Sequence, residues 1–187
     1  MVQVQHHVFE TAAGFAAIGW NGAGVCSFRL PAQSEASAER ALLKRFPSST
    51  ATIPPAQIAE VVALARRYFE GEQVDFSAAA IDLGEQDALY TRIYRHVRTL
   101  GWGETTTYGT VAKELGEGPE AARDVGQAMA GNPVPLIVPC HRVLAAGGKI
   151  GGFSAPGGST SKAEMLAIEG VNTAPPAAST AQMGFGF

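Results

Sequence analysis

Hydrophobic and polar residues alternate loosely from Val8 to Leu30, and two pairs of turn residues, Ala13-Gly14 and Asn21-Gly22, interrupt the alternation. A period of two is typical of strands with one buried face, and Asn-Gly between two such runs is typical of a tight hairpin. The segment therefore predicts a small antiparallel sheet of two or three strands joined by short hairpins.

Two later segments repeat their apolar residues with the period of a helix. The first follows Pro54-Pro55, stops at Gly71 and consists of Ile58, Val61, Val62, Ala65, Tyr68 and Phe69. The second begins at Asp87 and consists of Leu89, Ile93, Val97 and Leu100. We expect the first helix to cover the sheet. Small residues dominate between the two patterns, so we predict an N-terminal α/β domain over 1–86, with a boundary near residue 86.

A short helix, a tight turn and a second short helix are predicted next, over 108–115, 116–118 and 119–130. A three-residue turn containing glycine is the length that a helix-turn-helix uses, and Pro119 suits a first helical turn. The second helix is rich in alanine and glycine, so its surface can approach another molecule closely. On composition alone, tight packing within the protein is the simpler interpretation of that surface.

The remaining elements surround the sequence Pro139-Cys140-His141-Arg142-Val143. Before it, Leu136-Ile137-Val138 predicts a short buried strand. After it, a last helix is predicted to begin at Ser161, where Ser161 and Glu164 have the spacing of a capping box, and to end at Gly170.

The composition is that of a globular protein: 187 residues, 46% of them hydrophobic and 17% charged, with a net charge of −3. These values exclude disorder throughout and a strongly basic nucleic-acid footprint. The elements predict an α+β fold, in which a mostly helical C-terminal domain over 87–171 carries the helix-turn-helix and the cysteine loop. Residues 172–187 are rich in Ala, Pro, Ser and Gly and predict a flexible tail.

The apolar runs are too short or too broken to predict a membrane span, and the N-terminus lacks the pattern of a secretory signal. Cys26 and Cys140 are the only cysteines, which argues against a disulfide scaffold and favours the cytoplasm. Cys26, His6 and His7 are the metal-ligand candidates near the N-terminus. They lack paired-cysteine spacing, so we predict no metal.

Cys140 followed by His141 is the obvious nucleophile and base pair of the chain. An arbitrary Cys-His pair is most often an inert thiol beside a solvated imidazole. A reactive thiolate needs a base that removes its proton and a group that holds this base in the correct tautomer. Glu169, at the end of the last predicted helix, is a candidate for that orienting carboxylate.

The Pro139–Val143 sequence resembles the active-site motif of the O6-alkylguanine-DNA alkyltransferases, also called methylated-DNA–protein-cysteine methyltransferases. Other segments match that family in the same order, over about residues 87–171. Upstream they are Thr107-Tyr108-Gly109, Ala121–Gly126, Met129 and Gly131–Pro135, and downstream Gly152-Phe153-Ser154, Lys162 and Ile168-Glu169-Gly170. An ordered set of this kind is far more specific than a five-residue motif.

The resemblance implies a catalytic role for four residues. Cys140 would accept the alkyl group from guanine O6. His141 would take the thiol proton through a water, with Glu169 orienting the imidazole. Tyr108 would crowd the adjacent phosphate during base rotation and donate a hydrogen bond or proton to the departing base.

The resemblance also implies how the substrate is held. Arg123 would fill the gap that the flipped nucleotide leaves, on a helix whose small residues Ala122 and Gly126 suit the minor groove. Asn132 would tie this helix to the active-site turn. The base pocket would be lined by Ser154, Phe153 and backbone near Val143. Many members carry Tyr where Phe153 stands, so one pocket hydroxyl is missing.

The implied function is direct-reversal DNA repair, in which double-stranded DNA carrying O6-methylguanine, and also O4-methylthymine, loses its methyl group to Cys140. A thioether has no easy leaving group, so each molecule would act once. No glycine-rich phosphate loop follows a strand, and we predict no cofactor. Residues 87–187 carry eight basic and eight acidic residues, which predicts weak binding to undamaged DNA with a small salt dependence. A monomer is the default expectation.

Two other classes of function compete with DNA repair as interpretations of the sequence. A sensor that recognises alkylated bases without repairing them is the first, but such relatives replace the reactive cysteine, which is present here. A thiol enzyme acting on a small molecule is the second, and it would leave the helix-turn-helix and Arg123 unexplained.

Overall fold

The computed structural model describes residues 2–173. The tail predicted over 172–187 lies, beyond Thr173, outside the described residues. Among those described, no helix is long and apolar enough to cross a membrane.

The N-terminal half contains a four-stranded sheet, in which the strands lie in the order β3 (Gly24–Ala32), β2 (Gly14–Asn21), β1 (Gln5–Thr11) and β4 (Thr50–Ala51). Strands β1, β2 and β3 pair antiparallel through two short hairpins, as the alternation predicts. Strand β4 pairs parallel with β1, so the sheet is mixed rather than purely antiparallel. A two-residue strand is too short to carry a pattern of its own, and its pairing is set by tertiary contacts.

Helices cover both faces of this sheet. The predicted helix α2 (Ala56–Phe69) is confirmed, and its apolar stripe packs in one core with Ala16 and Ile18 of β2. Helix α1 (Glu35–Leu43), which the sequence analysis missed, packs with Ala17 in a second, smaller core. Because neighbouring residues of a strand point to opposite faces, the two helices lie on opposite sides of the sheet.

The C-terminal half is mostly helical. Helix α3 (Ala88–Val97) begins where predicted, because the Asp87 carboxylate accepts a hydrogen bond from the Tyr90 N–H at 2.8 Å. The helix-turn-helix consists of α4 (Tyr108–Glu114) and α5 (Ala121–Ala130), and α5 begins two residues later than predicted. Two short parallel strands, β5 (Thr106–Thr107) and β6 (Val143–Leu144), join the start of α4 to the segment after the cysteine.

Two local predictions around the cysteine are wrong. Residues 136–138 form a buried turn instead of a strand, because Leu136 has a φ of 76°, which ends any extended run. Helix α6 (Ser159–Ile168) begins before Ser161 and has no side-chain cap, so the capping box is absent. The Ser161 hydroxyl instead donates to the Pro156 carbonyl. The helix ends at Ile168, two residues before the predicted end at Gly170, which has a φ of 75°.

The larger core takes side chains from both halves of the chain, from Phe9 in β1 to Met165 in α6. Tyr68 of α2 and Val97 of α3 belong to this same cluster and are fully buried. A boundary near residue 86 stays a prediction, and the two halves share one continuous apolar interior.

Candidate active site

Cys140 opens a single 3-10 turn, Cys140–Arg142, between the buried 136–138 turn and β6. Its N–H donates to the Val138 carbonyl at 2.8 Å, and the residue is only 3% exposed. The side chain therefore lies in the protein interior, where a thiol is reactive only if neighbouring groups stabilise its ionised form.

His141 and Glu169 form a hydrogen-bonded pair with no exposed side-chain surface. Nε2 of His141 lies 3.0 Å from Oε1 of Glu169. Glu169 follows the last residue of α6, and the chain changes direction directly after it at Gly170, which has a positive φ. The end of α6 therefore delivers the carboxylate to the turn that carries Cys140.

Arg142 completes the environment of this carboxylate. Its Nε lies 3.0 Å from both oxygens of Glu169, and a terminal nitrogen lies 2.5 Å from Oε1. The other terminal nitrogen donates to the Leu100 carbonyl at 2.5 Å. Burial alone would raise the pKa of Glu169, but the hydrogen bonds from His141 and Arg142 outweigh it and lower the pKa to about 2. Glu169 is therefore ionised at neutral pH.

His141 is neutral at the same pH. Burial lowers the pKa of its imidazole, and Glu169 offsets this only in part. Because Glu169 is an acceptor only, Nε2 carries the proton and donates to it. Nδ1 then bears the free lone pair, and among the described residues it has no hydrogen-bond partner. This is the arrangement of a general base whose tautomer is fixed by a carboxylate.

Opposing influences act on the Cys140 thiol. Complete burial raises its pKa, whereas the Asn132 amide and the Lys162 ammonium lower it. Lys162 of α6 is itself 1% exposed, and burial lowers its pKa to about 8. Its Nζ donates to the Val143 carbonyl at 2.7 Å. The ammonium that favours the Cys140 thiolate is thus held in place by the backbone of β6.

Asn132 connects the end of α5 to the cysteine turn. Its side-chain nitrogen donates to the Val138 carbonyl at 2.8 Å, and its side-chain oxygen accepts from the Val134 N–H at 3.0 Å. Both bonds are buried, so they hold the 132–138 loop in one conformation. The position of Cys140 is therefore coupled to the position of α5.

A cavity of about 360 Å³ opens beside the thiol. Its floor and walls come from the start of α4, the second half of α5, the cysteine turn, the 152–154 segment and α6. The lining residues are Tyr108, Gly126, Met129, Ala130, Cys140, Gly152, Phe153, Ser154 and Lys162. The cavity therefore places Cys140, Tyr108 and Lys162 around one space.

The residues expected in a base pocket occupy different positions around this cavity. Phe153 and Ser154 line it, although the Ser154 hydroxyl already donates to the Ala130 carbonyl at 2.8 Å. Val143 is fully buried behind it, with its carbonyl bonded to Lys162. The Lys162 Nζ lies 5.7 Å from the centre of the Tyr108 ring and 5.9 Å from that of Phe153, so the cation packs between two pocket walls.

Helix α5 presents the other expected residues on its outer surface. Arg123 is exposed, and Ala122 and Gly126 are half-buried on the same side. A Cβ atom at Gly126 would meet nothing within 4 Å, so the surface is open there. Gly126 lines the cavity, and Arg123 and Ala122 precede it by about one helical turn. The open face of α5 therefore runs to the mouth of the cavity.

Sequence reasoning missed two contributions to the site. The burial of Lys162 against Tyr108 and Phe153 has no local signal, because lysine is ordinarily exposed. Tyr68, which the sequence analysis assigned only to an apolar stripe, places its hydroxyl 3.3 Å from Glu169 Oε1. A helix pattern identifies a buried face but not which buried hydroxyl meets a site elsewhere in the chain.

The N-terminal metal candidates are occupied by other contacts or lie apart. The two ring nitrogens of His6 lie 3.0 Å from a Glu39 oxygen and 2.8 Å from the Ser49 hydroxyl. Cys26 is buried in β3, and burial raises its pKa to about 11. Within residues 2–173, no group of three or more potential metal ligands is found.

The fold and site define an α+β protein in which a buried cysteine, histidine and glutamate lie directly behind a helix-turn-helix. Residues 88–171 match the family described as the DNA-binding domain of 6-O-methylguanine DNA methyltransferase. A curated methylated-DNA–protein-cysteine methyltransferase of Mycolicibacterium paratuberculosis is 40% identical over 124 residues, which are 66% of this chain and 72% of the relative. One of Sulfolobus acidocaldarius is 42% identical over 105 residues, 56% of this chain and 63% of the relative.

Solved structures give the same result. The crystal structure of the Mycobacterium tuberculosis O6-methylguanine methyltransferase superposes with a TM-score of 0.70 at 31% identity, covering 89% of this chain and 93% of that one. The structure of the same enzyme in complex with DNA gives 0.70 at 30% identity, covering 88% and 92%. This chain belongs to the methylated-DNA–protein-cysteine methyltransferase family.

Proposed function

We propose that this protein repairs DNA by direct reversal, transferring the methyl group of O6-methylguanine to Cys140 as a methylated-DNA–protein-cysteine S-methyltransferase. The observation that carries the proposal is the cavity beside α5, whose wall holds Cys140 next to the His141–Glu169 pair. Family membership supports the same substrate, since the relatives bear this activity in their names.

The chemistry follows from the protonation states. His141 accepts the thiol proton at Nδ1, through a water, and the resulting imidazolium is stabilised by Glu169. The sulfur attacks the carbon attached to guanine O6, the carbon–oxygen bond breaks, and its electron pair stays on the base. Tyr108, which lines the cavity, donates a hydrogen bond to the departing base. The base takes up a proton from solvent to become guanine, and the imidazolium of His141 returns its proton to solvent. Lys162 and Asn132 favour the thiolate electrostatically.

The substrate reaches this site only outside the duplex. Cys140 is only 3% exposed and lies in the wall of the cavity, so the damaged nucleotide must be extruded to reach it, at a cost of a few kcal/mol. We propose that α5 enters the minor groove through Ala122 and Gly126, and that Arg123 fills the space the base leaves. Phe153 and Ser154 then contact the flipped base, with Val143 supporting the pocket from behind. A monomeric, cytoplasmic protein stays a prediction from the sequence.

The product is a buried thioether, which no group near the site can cleave. The alkyl donor is the DNA itself, so the proposed reaction needs no cofactor. Each molecule acts once, and O4-methylthymine is a further substrate by the same displacement.

The test is the intact mass of the protein before and after incubation with a short duplex that contains one O6-methylguanine, followed by peptide mapping. We expect one methyl group per molecule, on the Cys140 peptide, without added cofactor. The Cys140→Ala variant should gain none, and the matched Cys26→Ala variant should gain one. Tight binding without any mass gain would instead identify a sensor of damage, and methylation of Cys140→Ala would refute the mechanism.

A further inference from the structure

Tyr68 of helix α2 reaches the candidate active site from the N-terminal half of the chain. Its hydroxyl lies 3.3 Å from Oε1 of Glu169, 3.4 Å from Nε2 of His141 and 3.2 Å from the Met165 carbonyl oxygen. The side chain is fully buried. The other contacts of the His141–Glu169 pair come from the C-terminal half, and the roles assigned above do not use Tyr68.

The hydroxyl has one proton and several neighbours that accept hydrogen bonds. Burial, followed by the charge of Glu169, raises the pKa of Tyr68, so the phenol stays protonated. The phenol donates its proton to Glu169 or to the Met165 carbonyl. The lone pairs of the phenolic oxygen then face Nε2 of His141. Both groups that face Nε2, the carboxylate and the phenol oxygen, can therefore accept a proton in a hydrogen bond. That surrounding favours hydrogen on Nε2 and leaves Nδ1 free.

We propose that Tyr68 is a positioning residue for alkyl transfer, which acts from the opposite half of the chain to reinforce the Nε2–H tautomer of His141 that Glu169 sets. This inference rests on the proposed function, because it assigns to His141 the role of base for Cys140. It adds that the site is incomplete without helix α2. The role belongs to the hydroxyl, not to the ring.

The ring of Tyr68 has a separate packing role that a test must hold constant. Its centre lies 5.6 Å from that of Trp102 and 5.1 Å from that of Phe69, in edge-on contacts. Phenylalanine keeps these contacts and the volume of the side chain. Tyr68→Phe therefore removes the hydrogen bonds and little else.

Tyr94→Phe is the matched control. Tyr94 is 2% exposed and its hydroxyl donates to the Ala128 carbonyl at 2.8 Å, so the variant also loses one buried hydrogen bond. The hydroxyl contacts neither His141 nor Glu169 in the hydrogen bonds described. Both variants should lose similar stability in urea, which separates stability from chemistry.

Single-turnover rates of methyl transfer from an O6-methylguanine duplex, measured from pH 5 to pH 9, provide the first readout. We expect Tyr68→Phe to lower the plateau rate about tenfold, as the loss of one ordinary hydrogen bond does. The acid limb of the profile, where the rate falls as His141 becomes protonated, should move to lower pH. The His141 imidazolium loses a neighbouring acceptor in this variant and therefore gives up its proton more easily. The charged groups that face His141 are Glu169, Arg142 and Lys162, and the variant changes none of them. Tyr94→Phe should leave the pH of the acid limb unchanged, because its hydroxyl has no hydrogen bond to His141 or Glu169.

Nitrogen NMR of the His141 ring provides a second readout that does not require activity. In the parent protein Nε2 should carry the proton, and in Tyr68→Phe a measurable fraction should shift to Nδ1. An unchanged tautomer together with an unchanged rate and pH profile would overturn the proposal. If the parent protein transferred no methyl group, the proposed function would fail, whereas the tautomer comparison would still decide whether Tyr68 reinforces the Nε2–H tautomer.

Discussion

Replacing Glu169 by Gln tests the electrostatic core of the site. Glutamine keeps the shape of the side chain but not the charge, so it cannot satisfy Arg142, whose side chain is 9% exposed and whose counter-charge is this carboxylate. The glutamine amide also has one oxygen where the carboxylate has two, so only one orientation of the amide can accept the hydrogen bond from His141. The variant therefore leaves a cation buried without its partner.

The size of the effect follows from the pKa. Folding lowers the pKa of Glu169 from 4.5 to about 2, a difference that corresponds to about 3 kcal/mol of stability at neutral pH. Breaking one partner of a buried ion pair costs about 3–5 kcal/mol in other proteins, since the remaining charge stays desolvated. We expect Glu169→Gln to lower the free energy of unfolding by this amount, against a total of about 5–15 kcal/mol for an ordinary domain.

The sign of the pH dependence is fixed by the direction of the shift. Because the folded state holds the carboxyl pKa below its unfolded value, the stabilisation is complete above pH 4.5 and disappears as the pH falls toward 2. The difference between the parent and the variant should thus be constant from pH 6 to 8 and shrink below pH 4.5.

Urea unfolding followed by tryptophan fluorescence and circular dichroism measures this difference. Glu72→Gln is the control, because Glu72 pairs with Arg67 at the surface, where both side chains are about half exposed. It should change stability by about 0.5 kcal/mol or less. If Glu169→Gln is too unstable to fold, Glu169→Gln with Arg142→Met should recover much of the loss, as apolar replacements of buried pairs do. A loss below about 1 kcal/mol for Glu169→Gln, or a pH-independent difference, would refute the reasoning.

Three further predictions concern neighbouring residues. Asn132→Ala should lower the free energy of unfolding by about 2–3 kcal/mol in urea titrations, because the buried groups of Val134 and Val138 lose their partners. Burial lowers the Lys162 pKa from 10.5 to about 8, so between these pH values the unfolded chain binds a proton that the folded protein does not. The free energy of unfolding of the parent protein should therefore rise by up to about 3 kcal/mol relative to that of Lys162→Met as the pH increases from 8 to 10.5. A difference that stays constant over this range would contradict the prediction. Arg123→Ala should slow base extrusion, monitored by 2-aminopurine fluorescence next to the lesion, without changing the stability of the free protein.

Local patterns predicted the elements that bury one continuous face. The hairpins of the N-terminal sheet and the stripe of α2 follow from alternation and helical period, since each such element is decided by its own sequence. The Asp87 cap of α3 is likewise a local hydrogen bond. Helix α1 was missed because only Ala38 and Leu42 are buried in it, which is too few to form a stripe.

Tertiary contacts decided the elements where prediction failed. Residues 136–138 are apolar enough for a strand, but the Asn132 hydrogen bonds hold them as a turn, with Leu136 in the left-handed region. Helix α6 starts early because Gly157 and Gly158 adopt positive φ values, 85° and 56°, that lead directly into it.

The candidate site was predictable to the extent that its residues are adjacent or carry a family motif. Cys140 and His141 are neighbours in sequence, and Glu169 was found through its place at the end of a helix. Tyr68 lies 73 residues from His141 along the chain, and no sequence pattern indicates that its hydroxyl contacts the site. Burial of Lys162 is equally hidden, because the energy that keeps an ammonium inside comes from the Val143 carbonyl and two aromatic rings.

The smooth outer face of α5 bears on where in a genome this protein can work. Ala122 and Gly126 have no side-chain donor or acceptor, so a helix that docks through them forms no hydrogen bonds that distinguish one base pair from another. Alkylation damage arises in any sequence context, and a helix that read base edges would leave most lesions unattended. In the proposed docking mode, Ala122 and Gly126 would thus read no sequence, and the chemistry of the pocket would distinguish the damaged base.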